Sequence, residues 1–89
     1  MNNKQWFVYI IRAADNTLYT GVTTDLKRRF QAHQAGKGAK YLKGRQPIQL
    51  VFERPVETRS QAQQLEYWIK KQTKNIKEDI IACRIDLPT

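Results

Sequence analysis

Little in this chain suits a disulfide-stabilised, membrane-spanning or multidomain protein. It has one cysteine, Cys83, so no intramolecular disulfide is possible and no thiolate metal cluster can be assembled, which fits a reducing, intracellular setting. No apolar run approaches the roughly 20 residues that a membrane span needs, and Met1 to Gln5 is polar rather than signal-like, so a soluble, unprocessed protein with no membrane partner is expected. With 89 residues there is room for one core and no second domain, and the whole of 1–89 reads as one unit. Internal repeats and a low-complexity tail are also missing. A chain this short removes only about 60 to 65% of its unfolded surface on folding, so the core must be dense. Trp6, Phe7, Tyr9, Phe30, Phe52, Tyr67 and Trp68 are the bulky residues available for it.

Acid is scarce as well. Sixteen Lys and Arg stand against eight Asp and Glu, a net charge of +8. From Lys27 to Arg45 there is no acid at all, while Lys27, Arg28, Arg29, Lys37, Lys40, Lys43 and Arg45 are basic. Such a block raises the positive potential on one side of a small domain and favours a polyanion, above all nucleic acid; a merely solvated, solubilising face is the plainer alternative.

What is present reads as alternating short elements. Trp6 to Ile11 is apolar throughout and β-branched or aromatic, which suits a strand covered on both faces at the centre of a sheet. Ala13 to Asn16 has turn chemistry and Leu18 to Val22 a second short strand, giving a hairpin. Thr23 or Thr24 can cap a helix with Asp25 in its first turn, ending near Ala35 and Gly36. Gly36 to Gly44 reads as a loop with room for one helical turn. Ile48 to Arg54 alternates Ile48, Leu50 and Phe52 against Gln49, Val51 and Glu53, a third strand with one face in the core. Thr58 and Gln61 have the form of a capping box opening a helix to about Thr73, and Asn75 is placed to break it before a last helix carrying Ile76, Ile80 and Ile81. The expected fold is α+β in the order β-β-α-β-α-α.

Polar residues on the two long helices then stand out. In the first, Leu26, Phe30 and His33 share a face, Arg29 falls on that side, and Arg28 and Lys27 point away. A guanidinium held near a core needs a carboxylate or a phosphate as partner. The second long helix buries Ala62, Leu65, Ile69 and Trp68 and carries Glu66 at the margin of that stripe. Glu66 is either half of a surface pair with Lys70, four residues on, or the lone carboxylate of a divalent-metal site completed by water and phosphate. His33, Tyr9 and Tyr19 likewise serve as packing residues or as site residues.

Taken together, Phe7-Val8-Tyr9, Tyr19-Thr20-Gly21, Asp25 to Phe30 with His33, and Glu66 on a late helix resemble the signature of the GIY-YIG endonuclease family, from about Trp6 to Ile81. The run Gly36 to Tyr41 is most similar to the small stand-alone bacterial members, the YhbQ-like proteins, and similar sequence occurs in structure-specific nucleases of the Slx type. The resemblance implies a three-stranded antiparallel sheet flanked by helices, and a structure-selective, metal-dependent endonuclease acting on DNA in repair or recombination, cytoplasmic and nucleoid-associated if bacterial. It implies Tyr9, Tyr19, Arg29, His33 and Glu66 as catalytic residues, Glu66 as ligand to Mg²⁺ or Mn²⁺, and Gly21 as a structural motif residue. Lys27, Arg28, Lys37, Lys40, Lys43 and Arg45 would then contact phosphates. The chain departs from the family where Phe7 and Val8 replace Gly and Ile, and where Val22 lies near a lysine that assists the tyrosine in some relatives, so the general base stays open between Tyr9 and Tyr19. The rival readings are a non-catalytic nucleic-acid-binding module derived from the same fold and a protein that docks its basic patch on an acidic partner.

Overall fold

Trp6–Arg12 forms β1 in the computed structural model, which describes residues 4–38 and 40–88. It lies between β2 (Leu18–Thr23) and β3 (Gln49–Val56) in a three-stranded sheet of order β2-β1-β3, antiparallel throughout. The central position follows from its composition, since Val8, Ile10 and Ile11 are apolar and wholly buried, on both faces of the sheet. The β1–β2 turn is built by Asp15, whose carboxylate accepts from the backbone and hydroxyl of Thr17, and by Asn16 in the left-handed region at φ 69°, which asparagine tolerates.

Successive residues of β1 alternate between two cores. Val8 and Ile10 pack with Ala62, Leu65, Ile69, Ile80 and Leu87 on the side covered by α2 (Arg59–Lys70) and α3 (Lys74–Ile81). Tyr9 and Ile11 pack with Ala13, Leu42 and Ile48, flanked by Tyr19, Leu50, and Leu26 and Phe30 of α1 (Leu26–Gln34). Each fully buried aliphatic side chain contributes about 1.5–3 kcal/mol, so both layers are needed to hold so small a sheet. A bulge in β3 supplies both layers from one strand. Ile10 faces Phe52 but Ile11 faces Leu50, leaving Val51 as the extra residue. Phe52 therefore joins the first core and Ile48 and Leu50 the second. This corrects the expectation of one alternating face, because alternation presumes an unbroken ladder.

Helix ends also differ in detail. Asp25, expected in the first turn, is itself the N-cap of α1 and accepts from the Arg28 backbone at 3.1 Å, while Thr23 Oγ1 accepts from the Asp25 backbone. Thr58 caps α2 as expected, but Gln61 Oε1 accepts from Glu57 rather than from the capping residue. α2 stops at Lys70, and Thr73 begins α3 by accepting from Ile76; Asn75 sits inside that helix instead of breaking the previous one. A threonine cap in extended backbone is the stronger signal of a helix start. Tyr67 is 62% exposed, with the Lys71 ammonium over its ring, and so is not a core residue. Among the described residues the basic loop contains a 3₁₀ turn, Lys40–Leu42, whose Leu42 is wholly buried. No helix among the described residues is long and apolar enough to cross a membrane.

Candidate active site

The antiparallel register of β1 and β2 places Tyr9 opposite Gly21 and Ile11 opposite Tyr19, so both tyrosines share the face that α1 covers. A β-carbon on Gly21 would stand 2.6 Å from the ring carbon that bears the Tyr9 hydroxyl, and nearer still to the hydroxyl oxygen, which means that the ring lies across the bare backbone of β2. From α1, one turn beyond Arg29, His33 points at the same spot: its Nε2 is 3.0 Å from the Tyr9 hydroxyl. The His33 ring meets the edge of the Tyr19 ring with centroids 5.4 Å apart, and the two tyrosine rings are 6.4 Å apart. The Arg29 guanidinium interacts electrostatically with both phenols. Four residues from three elements thus form one cluster.

Burial divides their roles. Tyr9 is 2% exposed and His33 1% exposed, while Tyr19 is half-buried and Arg29 reaches the surface. Burial pushes the Tyr9 phenol above its ordinary value, and Arg29 works against that shift. Burial, then the charge of Arg29, holds His33 below the usual imidazole range, so the ring is neutral around neutral pH. Arg29 is raised further by its bond to Tyr9. It is a fixed cation above a neutral, hydrogen-bonded pair.

Glu66 approaches this cluster from α2. Its charge reaches Tyr9, where it opposes ionisation of the phenol. The carboxylate is 22% exposed, and one oxygen lies 3.2 Å from Lys70 Nζ, so the surface pair read from the sequence forms. No group of three His, Cys, Asp or Glu side chains converges among the described residues. A hard divalent ion fits this donor set as one carboxylate completed by water and substrate phosphate, not as a closed protein cage.

The basic residues are dispersed more widely. Lys27, Lys37, Lys40 and Lys43 are exposed or half-exposed around the second layer. Arg45 is tied to Asp15, and its carbonyl accepts from Ala14, so it anchors the loop to the hairpin turn. Arg28 is exposed as expected, yet it does not simply leave the site: with Arg29, Lys4, Thr23, Thr24, Asp25 and Ala32 it lines a concavity of about 480 Å³. Two positioning residues were invisible in the sequence. A β-carbon at Gly38 would lie 2.7 Å from His33 Cε1 and nearer still to Nδ1, so the loop closes on the imidazole, and Gln46 donates to the His33 carbonyl at 3.0 Å. In the sequence the glycines and lysines of that loop signalled a turn and a basic patch rather than a segment closing on a ring.

Comparison with known proteins gives a concordant result. Residues 5–79 match the model of the GIY-YIG catalytic domain. The UPF0213 protein YhbQ of Escherichia coli K12 is 56% identical over 77 residues, covering 86% of this chain and 77% of that protein. A UPF0213 protein of Cronobacter sakazakii is 53% identical over 79 residues, 89% of this chain and 83% of the other. Among solved structures, a UPF0213 protein of Bacillus halodurans aligns with a TM-score of 0.59 at 38% identity, covering 89% of this chain and 84% of its own. A protein of E. faecalis aligns with a TM-score of 0.65 at 36% identity, covering 92% and 88%.

Proposed function

Since this chain belongs to the GIY-YIG catalytic-domain family, a nuclease-type domain, we propose that it is a divalent-metal-dependent endonuclease that hydrolyses DNA phosphodiester bonds, selecting structure rather than sequence. The observation that carries this reading is the convergence of Tyr9, Tyr19, Arg29 and His33 into one cluster, with Tyr9 hydrogen-bonded to His33 and the charges of Arg29 and Glu66 acting on Tyr9.

Phosphodiester hydrolysis needs an activated water, charge neutralisation on the phosphoryl oxygens and a stabilised leaving oxygen. Arg29, already oriented by two phenols, clamps a nonbridging oxygen with its planar fork. Half-buried Tyr19 orients the attacking water at the mouth. A phenol whose pKa is raised by burial is a poor base alone, whereas a neutral imidazole beside it is a competent one. With the imidazole proton on Nδ1, Tyr9 passes its hydroxyl proton to His33 Nε2 as it takes one from the water; Arg29 steadies the transient phenolate. The pair ends one proton richer, as Tyr9 and imidazolium. His33 thus supplies the assistance that a lysine near Val22 gives in some relatives. Mg²⁺ or Mn²⁺, held by Glu66, would supply Lewis-acid charge to the phosphoryl and leaving oxygens. Lys27, Lys37, Lys40 and Lys43 hold the backbone without reading bases.

Incubation with labelled single-stranded, nicked, flapped and branched DNA, with RNA controls, tests the proposal. Cleavage is expected in Mg²⁺ and not in EDTA, and Glu66→Ala should lose it while binding DNA in EDTA as the wild type does. Arg29→Lys, which keeps the charge and removes the fork, should turn over about a hundredfold more slowly, equivalent to ~2.7 kcal/mol. A non-catalytic binding module is favoured by one observation, the Glu66–Lys70 pair; binding without metal-dependent cleavage of any of these structures would establish it instead.

A further inference from the structure

We propose that the concavity between the end of β2, the start of α1 and Lys4 seats the phosphate adjacent to the scissile one, held by Arg28 and Lys4. The proposal rests on the nuclease reading for the identity of the scissile group. Three cations, Lys4, Arg28 and Arg29, and the hydroxyl-bearing Thr23 and Thr24 line this volume of about 480 Å³, more than a single phosphate fills. Among the described residues neither Lys4 nor Arg28 is paired with a carboxylate. The one acid in the lining, Asp25, already serves as the α1 cap through the Arg28 backbone. Against three cations Asp25 supplies one negative charge, so the lining keeps a positive excess that repels itself until an anion joins it.

Arg29 belongs to both regions, touching the tyrosine cluster and lining the concavity. Successive residues of a helix leave the axis about 100° apart. Arg28 and Arg29 therefore cannot fork onto one phosphate from one side, but they suit consecutive phosphates of one strand. With Asp25 keeping negative charge at the first turn of α1, the phosphate is placed against the arginine and lysine side chains and not on the helix end. The strand so defined runs from the tyrosines past Arg29 towards Thr23, Thr24 and Lys4.

Two measurements on the full chain test this. In EDTA, affinity for labelled duplex DNA is followed against salt for the wild type, Arg28→Ala, Lys4→Ala and Arg84→Ala. Arg84 is a control cation, ion-paired to Asp79 beyond the end of α3. Arg28→Ala and Lys4→Ala should each lower the log–log slope by about 0.9, and Arg84→Ala should not. In Mg²⁺, single uncharged methylphosphonates are placed at successive bonds around the one that the wild type cuts. One neighbouring position should slow the wild type at least tenfold and leave Arg28→Ala indifferent, while the other positions affect both proteins alike. An identical interference pattern in the two overturns the subsite whatever the slopes. If the wild type cuts nothing, the nuclease reading fails and the slopes alone decide: a drop confined to Arg28→Ala and Lys4→Ala sustains an anion subsite, and equal slopes overturn it. Arg28→Gln, which keeps a long polar side chain at this exposed helical position, repeats both measurements.

Discussion

At Gly21 the Tyr9 ring occupies the space that any other residue's β-carbon would need. Gly21→Ala forces that ring away from His33, and overpacking of this kind costs about 1–3 kcal/mol. The expected outcome is a lower urea midpoint and cleavage reduced more than tenfold, with DNA binding in EDTA close to wild type. Had the glycine only conformational value, stability would fall while the rate per folded molecule held. His33 gives a pH-dependent counterpart. Its folded pKa lies below the ordinary 6.5, so as pH falls the unfolded chain takes up the proton first. The associated stability is complete above about 6.5 and is lost below it as pH falls towards the folded value. Urea midpoints at about pH 7.5 and 5.5 should differ more in the wild type than in His33→Gln. The rate should decline on the same acid side, since a protonated imidazole cannot accept from Tyr9, and His33→Gln should lose that limb. The residue types of this site were legible from motif spacing, and the helical phase of Arg29 and His33 from Leu26 and Phe30. That His33 would be buried and bonded to Tyr9 was not, because helix phase fixes a direction and not a depth.

Elements are tied together by pairs that no local pattern foretells. Arg12, at the end of β1, forks onto Glu78 of α3 with hydrogen bonds of 2.7 and 2.6 Å and also donates to Asn16 in the hairpin turn. Lys74 of α3 donates to the Asn16 carbonyl at 2.7 Å, so strand, turn and helix meet at one corner. Both charged partners of the fork remain a quarter to a third exposed, and solvent screening limits the pair to roughly 0.5–1 kcal/mol. Glu78→Gln should lower stability by about that amount at neutral pH. Arg12 holds the Glu78 carboxyl below its ordinary 4.5. The contribution is therefore present above that value and lost as pH falls through the lower folded one, and the two proteins should converge in strong acid, where Glu78 is protonated in the folded state as well. A difference that persists in strong acid would assign it to packing instead. The order of elements was readable because periods of 2 and 3.6 differ plainly. The β3 bulge was not, since an inserted residue changes which partners meet without changing the strand's own composition.

Across the whole molecule the basic loop and α1 give one side its charge, and binding should follow salt rather than sequence. Neutralising Lys37, Lys40 and Lys43 together should flatten log affinity against log salt by two to three units, at about 0.9 for each phosphate left without its lysine, equally for unrelated DNA sequences. An unchanged slope would make the loop a solvated face. Arg45 contributes least, because Asp15 already holds it. Composition, periodicity and caps, all local properties of the chain, determined the α+β order, the central strand, the helix faces and the positively charged segment. The family signature, spread over four separated segments, was legible for the same reason, since each segment carries its own residue types. Only the tertiary structure decided how those segments meet: Tyr9 across Gly21, His33 beneath Gly38, Glu66 shared between Lys70 and the field at Tyr9, and Arg28 beside Lys4. Each is an approach between residues distant in sequence or on different faces, set by strand register, sheet twist and helix packing, and these depend on all the side chains at once.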